Sequence, residues 1–448
     1  MSLMISVSGI RGIFGSHLNP QNLVNFTAAY GTWLGGGRVV VGRDTRTTGQ
    51  ICEDIVCATL QSVGCDVIKI GIAPTPTVAM TVLKHHADGG IILTASHNPA
   101  EWNALKLLNN KSEFLDAGQG NKVIKIAKSG DFAWKCHDQT GKLSFDDKAI
   151  LSHIEKILEL PYIQKEKIAA AGFRVAVDAV NGAGCTALPL LLETLGVKVH
   201  RLYCEPTGIF PHNPEPLPEH LDDIRKFVID KNCDLGLVTD PDADRLAIID
   251  ENGELFGEEY TQVAAFDFML GKKSGDAVTN LSSSRAADDI CKKYNQTCHR
   301  SAVGEINVVK MMQEKDAFIG GEGNGGVINP DLHYGRDALA GTAMVLQLLA
   351  ERKVKASEYR STLSDYEMVK QKRELKALGV EADELLKKLE LNFSKYNPDT
   401  IDGVKINFEE GWVHFRKSNT EPIVRIYSEA KTRSEAENLA NRVIESVL

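Results

Sequence analysis

Three aspartates occupy alternate positions directly after an apolar run. Asp240, Asp242 and Asp244 follow "LGLVT" within the stretch "DPDADR". In an extended loop, alternate side chains point to the same side, so the three carboxylates can converge on one ion. Carboxylate oxygens are hard ligands of the kind that Mg²⁺ prefers. The spacing therefore predicts a divalent metal site at the end of a buried strand.

Two other interpretations of this stretch are open. Asp240, Asp242, Asp244 and Glu251 match positions 1, 3, 5 and 12 of a calcium-binding EF-hand loop, but Arg245 stands at position 6, where the turn needs glycine. The flanking runs also predict strands instead of helices. A phosphatase of the haloacid dehalogenase type would use Asp240 as nucleophile and Asp242 as acid, although Asp244 replaces its usual threonine or valine.

A serine follows another apolar run and could act as a nucleophile. Ser96 comes after "GGIIL" in the stretch "TASHNP", in which Asn98 and Pro99 predict a turn. A turn of this kind can present a hydroxyl at the end of a strand. The alternative is that Ser96 and Asn98 are ordinary turn residues. We expect His97 to point elsewhere, because neighbouring residues in a turn usually diverge.

Three further groups of polar residues could bind an anionic or hydroxylated ligand. The glycine-rich segment "GGEGNGG" places Glu322 and Asn324 in a backbone that a ligand can approach closely. The segments "SGIRG" and "GRDTR" contribute Arg11, Arg43 and Arg46 near the first sheet. The turn "RKSNTEPIVR" gathers donors suited to a phosphate group, namely Arg416, Lys417, Ser418, Asn419, Thr420 and Arg425.

The elements that position these residues alternate along the chain. Short β-branched runs that end in polar or glycine-rich residues precede helical stretches, which predicts βα units and a largely parallel sheet. Ligands of such sheets lie beyond the carboxyl ends of the strands. The last part of the chain changes to charged helices around a few strands, which predicts an α+β domain. The predicted domains are residues 1–160, 161–255, 256–365 and 366–448.

Composition limits the classes of function. The 448 residues contain 51 Lys and Arg against 60 Asp and Glu, giving a formal net charge of −9, which argues against nucleic acid or anionic membrane as partner. No apolar run approaches the ~18 residues of a membrane-spanning helix, and the first residues lack the pattern of a signal peptide. Nine cysteines without a C-x-x-C pair predict reduced thiols and a cytoplasmic protein.

Taken together and in this order, the motifs "SGIRG", "TASHNP", "DPDADR", "GGEGNGG" and "RKSNTEPIVR" resemble those of the α-D-phosphohexomutases. This superfamily includes phosphoglucomutases, phosphomannomutases and phosphoglucosamine mutases. The resemblance implies three similar α/β domains with mixed, largely parallel sheets and a C-terminal α+β domain like the TATA-binding protein. It also implies that the four domains surround a central cleft.

The resemblance further implies a Mg²⁺-dependent isomerase that interconverts hexose 6-phosphate and hexose 1-phosphate. Ser96 would carry a phosphoryl group, and a hexose 1,6-bisphosphate would be both intermediate and activator. Ser96, Asp240, Asp242 and Asp244 would hold the metal, and Arg11 and Lys106 would lie near the transferring group. The substrate-binding residues would be Arg245, Glu322, Asn324, Arg416, Ser418, Asn419, Thr420 and Arg425.

The resemblance leaves the substrate and the proton carrier open. Glucosamine phosphate is favoured, with mannose and glucose phosphates as alternatives, and a sugar-phosphate-binding regulator without catalysis is an alternative of another class. The sequence departs from many members at Asn324, Gly326 and Asn419. Since Glu305 stands where some members have histidine, the proton carrier could be Lys106, Glu305 or Arg11. The expected assembly is a monomer or a homodimer.

Overall fold

The computed structural model describes residues 3–417 and 423–447. The chain divides into two compact units. The first comprises Met1–Phe268 and Asn324–Tyr359, and the second comprises Met269–Gly323 and Arg360–Leu448. Among the described residues, no helix combines the length and the apolar character needed to cross a bilayer.

The first unit begins with a seven-stranded sheet in the order β1-β2-β6-β5-β3-β4-β7. Its strands are β1 (Met4–Ser6), β2 (Gly9–Ile13), β3 (Gly37–Arg43), β4 (Cys65–Ile72), β5 (Gly89–Leu93), β6 (Trp102–Leu108) and β7 (Leu143–Phe145). The helices in this part are α1 (Pro20–Leu34), α2 (Gly49–Ser62), α3 (Thr75–Lys84), α4 (Ala117–Ser129) and α5 (Ala149–Leu158).

Helices cover both faces of this sheet, as the alternation of side chains along β3 shows. Val39 and Val41 belong to a core cluster that includes buried residues of α1 and α2. Val40 points to the opposite face and packs in a cluster with residues of α3. Because both faces are buried, the central strands are apolar at successive positions instead of alternating with polar residues.

The first sheet is less parallel than the sequence predicts. Three of its strand pairs are parallel, and three are antiparallel. The difference arises because "GGIIL" (β5) is followed not by a helix but by the antiparallel strand β6, with "TASHNP" in the connection. The serine loop therefore belongs to a β-hairpin and is anchored by a buried strand on each side.

The rest of the first unit contains a four-stranded mixed sheet in the order β11-β10-β8-β9. The pairs β8–β9 and β8–β10 are parallel, and β10–β11 is antiparallel, so the aspartate loop also connects an antiparallel pair. The elements are α6 (Lys165–Ala171), β8 (Arg174–Asp178), α7 (Gly184–Thr194), β9 (Lys198–Leu202), the 3₁₀ helix Pro218–His220, α8 (Asp222–Asp230), β10 (Leu235–Thr239), β11 (Leu246–Asp250) and α9 (Tyr260–Leu270), followed later in the chain by β15 (Gly326–Ile328), α12 (Ala338–Arg352) and α13 (Ala356–Ser361).

The second unit contains two sheets. In the first, β12 (Ala277–Asn280) lies between β13 (Cys298–Ser301) and β14 (Ile319–Glu322), and both pairs are parallel. The helices α10 (Ala286–Lys293) and α11 (Glu305–Lys315) connect these strands. This arrangement is the predicted α/β pattern.

The second sheet of this unit has four antiparallel strands in the order β16-β19-β18-β17. Its elements are β16 (Glu367–Glu374), α14 (Leu375–Leu378), α15 (Ala382–Asn392), the 3₁₀ helix Ser394–Tyr396, β17 (Val404–Asn407), β18 (Gly411–Lys417), β19 (Ile423–Ala430) and α16 (Arg433–Glu445). Buried residues of α15 and α16 pack on the sheet in one apolar cluster. The predicted C-terminal α+β domain is thereby confirmed.

A buried aspartate caps the first turn of α12, which begins at Ala338. Asp337 Oδ1 accepts hydrogen bonds from the backbone N–H groups of Leu339 and Ala340, at 2.9 and 3.1 Å. Its Oδ2 lies 2.9 Å from Nε2 of His153 on α5. Burial alone would raise the pKa of Asp337, but the adjacent His153 and His333 hold it below its usual value.

We expect Asp337→Asn to lower the free energy of unfolding at pH 7 by about 3 kcal/mol, because it leaves a buried imidazole without its carboxylate. The folded-state pKa of Asp337 lies below the unfolded value of about 3.9. Its contribution is therefore complete above that pH and is lost as the pH falls further. Urea unfolding of wild type and variant at pH 7 and at pH 3 measures this difference.

Asp116 provides the matched control, because it caps α4 through the same kind of bond. Asp116 Oδ1 accepts from the N–H of Gln119 at 2.9 Å. Asp116→Asn should change stability by less than about 1 kcal/mol, since asparagine is also a good N-cap. Equal losses in both variants would show that the contact between Asp337 and His153 contributes nothing.

Candidate active site

Ser96 lies in the β5–β6 connection, where the structure presents its hydroxyl to the aspartate loop. Its Oγ donates a hydrogen bond to Oδ2 of Asp240 at 3.0 Å. The residue is buried, and its φ of 50° lies in the left-handed region that non-glycine residues rarely adopt. A buried serine held in this conformation is typical of a functional loop and not of an ordinary surface turn.

The three aspartates converge as their spacing predicts. Asp240, Asp242 and Asp244 are fully buried, and one oxygen from each lies within 4.8 Å of the others. Within the described part of the chain, Oδ1 of Asp242 and Oδ1 of Asp244 have no hydrogen-bond partner. Buried carboxylate oxygens without partners are costly, and a divalent cation would satisfy them. The residues present therefore fit a metal such as Mg²⁺.

The pKa values of the aspartates reflect the crowding of buried negative charge. Burial, followed by the charges of Asp244 and Asp242, raises the pKa of Asp240 well above its usual value. Burial also acts to raise the pKa of Asp242, but Lys106 and Thr75 reverse this effect and lower it. Asp240 thus resists ionisation, whereas Asp242 is held as a carboxylate.

Lys106 and Arg11 reach the cluster from neighbouring strands. Arg11 on β2 pairs with Ala104 on β6, two residues before Lys106, so both side chains project from the same face of the sheet. Nζ of Lys106 lies 2.6 Å from Oδ2 of Asp242. Nη1 of Arg11 donates to Oδ1 of Asn98 in the serine loop at 2.8 Å. The structure thus brings together both cations that the resemblance implies.

His97 lies in the site, so the expectation that it points elsewhere is wrong. Its Nδ1 accepts a hydrogen bond from Nη2 of Arg245 at 3.0 Å and lies 3.3 Å from Oγ of Ser96. Burial and the charge of Arg245 lower the pKa of His97 to about 2. The imidazole is therefore neutral, and Arg245 connects it to the aspartate loop.

Two residues of the site were not identified from sequence. Thr75, at the start of α3, donates from Oγ1 to Oδ2 of Asp242 at 2.6 Å. Arg336 lies 2.7 Å from Oδ2 of Asp244. A Cβ at Gly326 would stand 2.3 Å from Cδ of Arg336, so glycine at that position makes room for the arginine. Neither residue lies in a recognised motif, which is why spacing gave no signal.

The two residues of the glycine-rich segment belong to different units. Asn324, in the first unit, accepts from the N–H of Gly326 through its Oδ1 at 3.2 Å. Glu322, in the second unit, is buried, and its Oε1 accepts from Nδ2 of Asn280 and from the N–H of Gly304. Both side chains are thereby held in place by hydrogen bonds within their own unit.

The predicted phosphate-binding turn is flanked by two arginines. Arg416 on β18 and Arg425 on β19 are direct cross-strand partners. Like charges in this position repel, which an anionic ligand between them would relieve. Asp402 forms an ion pair with Arg416 at 2.8 Å. Ser418, Asn419 and Thr420, which were predicted to bind the same phosphate, lie outside the described residues.

Four family models match the chain in order. They are the alpha/beta/alpha domains I, II and III and the C-terminal domain of phosphoglucomutase/phosphomannomutase, which match residues 3–134, 151–253, 257–366 and 368–446. Together they account for nearly the whole chain. The architecture is therefore that of a four-domain α/β protein with mixed sheets, as predicted.

Similar proteins extend over the full length. A "Phosphoglucomutase/phosphomannomutase" of Thermococcus kodakarensis is 38% identical, with 97% of this chain and 96% of the relative covered. A "Probable phosphoglucosamine mutase" of Methanopyrus kandleri is 32% identical, with 100% and 98% covered. A crystal structure of a phosphoglucomutase/phosphomannomutase family protein from Burkholderia thailandensis has a TM-score of 0.86 at 23% identity, with 99% and 98% covered.

The fold and the serine–aspartate site thus define a mutase of the α-D-phosphohexomutase superfamily. The chain belongs to the phosphoglucomutase/phosphomannomutase family. The predicted superfamily and enzyme class are confirmed. The EF-hand interpretation is wrong, because strands β10 and β11 flank the aspartate loop. The haloacid dehalogenase interpretation is replaced by the family that matches.

We expect millimolar Mg²⁺ to raise the thermal midpoint of the wild-type protein by about 2–4 °C, because a ligand that binds only the folded state stabilises it. Asp240→Asn and Asp244→Asn should each abolish the shift. Either substitution also relieves repulsion between carboxylates, so the Mg²⁺-dependent shift, and not the midpoint itself, is the measurement.

Asp178 is the matched control for this experiment. It is also a buried aspartate at the end of a strand, but it pairs with His212 at 3.0 Å and lies outside the triad. Asp178→Asn should retain the full Mg²⁺ shift. If Asp240→Asn and Asp244→Asn also retained it, the metal would bind elsewhere.

Proposed function

We propose that the chain is a Mg²⁺-dependent phosphohexomutase that interconverts hexose 6-phosphate and hexose 1-phosphate, with Ser96 as the phosphoryl carrier. The observation that carries this proposal is the contact of Ser96 Oγ with the buried aspartate triad, 3.0 Å from Asp240. A serine beside three carboxylates is poorly placed as an ordinary nucleophile. It is well placed to carry a phosphoryl group whose charge a shared cation neutralises.

The reaction would proceed through two reciprocal transfers. In the first, a sugar hydroxyl attacks the phosphorus of phospho-Ser96, the bond from phosphorus to Oγ breaks, and the proton of the hydroxyl passes through a base to the leaving Oγ. The resulting hexose 1,6-bisphosphate reorients in the site and returns its other phosphoryl group to Oγ. The product then leaves with Ser96 loaded for the next cycle. Lys106 and Arg11 are the candidate proton carriers in the first unit.

Electrostatics determines which groups are needed. A phosphoserine and a sugar phosphate each carry about −1.5 to −2 charges, and two unit charges 4 Å apart repel by about 4 kcal/mol at an effective dielectric of 20. Fixed cations must offset this repulsion. Ser96, Asp240, Asp242 and Asp244 would hold Mg²⁺, which when bound neutralises charge on the transferring group. Lys106, Arg11 and Arg336 lie around the same cluster.

Residues away from the triad would bind the rest of the substrate. We propose that Glu322 and Asn324 bind sugar hydroxyls. Arg416 and Arg425, together with Ser418, Asn419 and Thr420 of the same sequence motif, would hold the phosphate that does not react. The cross-strand placement of the two arginines supports this role, because their mutual repulsion favours a bound dianion. Arg245 would bind near the metal loop.

Glucosamine phosphate is the favoured substrate. The relative from Methanopyrus kandleri carries the name of a phosphoglucosamine mutase. The relative from Thermococcus kodakarensis, which is more similar at 38% identity, carries the names of the glucose and mannose enzymes. Because of the name of this second relative, glucose and mannose phosphates are the second candidate substrates.

The loaded serine can be detected directly. After incubation with glucose 1,6-bisphosphate, intact mass spectrometry should show one added phosphoryl group on the wild-type protein and none on Ser96→Ala. Mutase turnover of Ser96→Ala should fall by more than about 10³-fold, because the carrier is lost. A wild-type protein that never gains the mass, together with an active Ser96→Ala, would contradict the proposal.

Ser112 supplies a matched control, since it is also a buried serine with positive φ, at 63°. Ser112→Ala should gain the phosphoryl group to the same extent as the wild type. Equal loss of phosphorylation in both variants would point to a disturbed fold and not to a lost acceptor.

The substrate preference is measured by kcat/KM for glucosamine 6-phosphate, mannose 6-phosphate and glucose 1-phosphate, each with the matching bisphosphate present. We expect the amino sugar to have the highest value. The preference for glucosamine phosphate is wrong if the amino sugar is the poorest of the three, and this result would leave the mutase assignment intact.

A further inference from the structure

Arg46 is almost fully buried, at 1% exposure. Four of the five hydrogen bonds that its guanidinium donates go to one loop. Its Nη2 donates to the carbonyl oxygens of Ser96 and Asn98 at 2.7 and 2.6 Å. Its Nη1 donates to the carbonyl oxygens of Pro99 and Trp102. Four carbonyl groups of the serine loop therefore converge on one side chain.

Asp44 holds the guanidinium from the other side. Its Oδ2 accepts from Nε of Arg46 at 2.9 Å, so all five N–H groups of the guanidinium have acceptors. The same Oδ2 accepts from Oγ1 of Thr94 at 2.7 Å, and this Oγ1 accepts from the N–H of Ser96 at 3.0 Å. The backbone of Ser96 is thus held at its N–H and at its C=O by one connected network.

This network counteracts a local strain. Ser96 has a φ of 50°, and a non-glycine residue in this region costs of order 1–3 kcal/mol, so the conformation persists only where surrounding contacts impose it. The contacts here come from Asp44, Arg46 and Thr94. They also extend to Asn98, whose Oδ1 accepts from Arg11. The same network therefore fixes the direction of the Ser96 Oγ and the position of Asn98, the hydrogen-bond partner of Arg11.

We propose that Arg46 is a positioning residue for phosphoryl transfer, which sets the location of the Ser96 hydroxyl through the loop backbone and contacts neither the phosphoryl group nor the sugar. This inference rests on the proposed function of Ser96. A misplacement of about 1 Å can cost about 10²-fold in rate. Substrate binding, which depends on other residues, should change little.

The test compares Arg46→Lys with a milder variant of the same network, Thr94→Val. Lysine keeps the charge but cannot span four carbonyl groups with a planar fork. Valine keeps the shape of Thr94 and removes the hydroxyl between Asp44 and Ser96. The measurement is the single-turnover rate at which glucose 1,6-bisphosphate phosphorylates Ser96, followed by intact mass, together with steady-state kcat and KM and the thermal midpoint.

We expect Arg46→Lys to slow phosphorylation and kcat by about 10²-fold while KM stays within about threefold. Thr94→Val should slow both rates by about 10-fold, with a thermal midpoint close to that of the wild type. This variant therefore tests the positioning role even where Arg46→Lys folds poorly. The control is Arg225→Lys, because Arg225 also donates to a loop carbonyl, that of Gly253, in the β11 turn. It should behave like the wild type.

The outcomes separate this inference from the proposed function. If wild type is phosphorylated and Thr94→Val and folded Arg46→Lys match its rate, the positioning role is wrong and the carrier role of Ser96 stands. A rise in KM with unchanged kcat would also overturn it, because Arg46 would then act in binding. If wild type accepts no phosphoryl group, the proposed function fails and this inference with it.

Discussion

The concentration of negative charge in a buried place is the constraint on which the rest of the site depends. Asp240, Asp242 and Asp244 have no measurable exposure, and carboxylates in such a position are costly unless cations or donors surround them. Lys106, Arg336 and Thr75 supply contacts to Asp242 and Asp244. Within residues 3–417 and 423–447, Oδ1 of Asp242 and Oδ1 of Asp244 have no hydrogen-bond partner, and a divalent cation would satisfy both. The cations that stabilise the carboxylate cluster are those that phosphoryl transfer would require.

Two hairpins carry the serine and the aspartates of the candidate site. The loop that contains Ser96 joins β5 to β6, and the aspartate loop joins β10 to β11. Every residue of β5, β10 and β11 is buried, so each loop starts from rigid, packed strands. Both loops extend from the carboxyl ends of strands that also have parallel neighbours, the usual ligand-binding edge of α/β sheets. Loops anchored at both ends hold their side chains more closely than mobile connections can.

Different residues supply the charged groups of the site and hold the backbone of the serine loop. Lys106 forms an ion pair with Asp242, whereas Arg46 has its donors occupied by carbonyl groups and Asp44. The sequence alone does not distinguish Arg46 from Arg11, because both are arginines in short motifs near the first sheet. Their different acceptors separate an electrostatic role from a structural one.

The sequence by itself determined the α/β class, the α+β character of the C-terminal domain, the aspartate triad and the candidate serine, because these depend on local periodicity and spacing. Only the tertiary structure decided that the serine loop lies in a hairpin, that His97 points into the site, and that Thr75 and Arg336 reach the aspartates. Ser96 and Asp240 are 144 positions apart in the chain. Contacts across such separations depend on how strands and helices pack, and no local pattern encodes that packing.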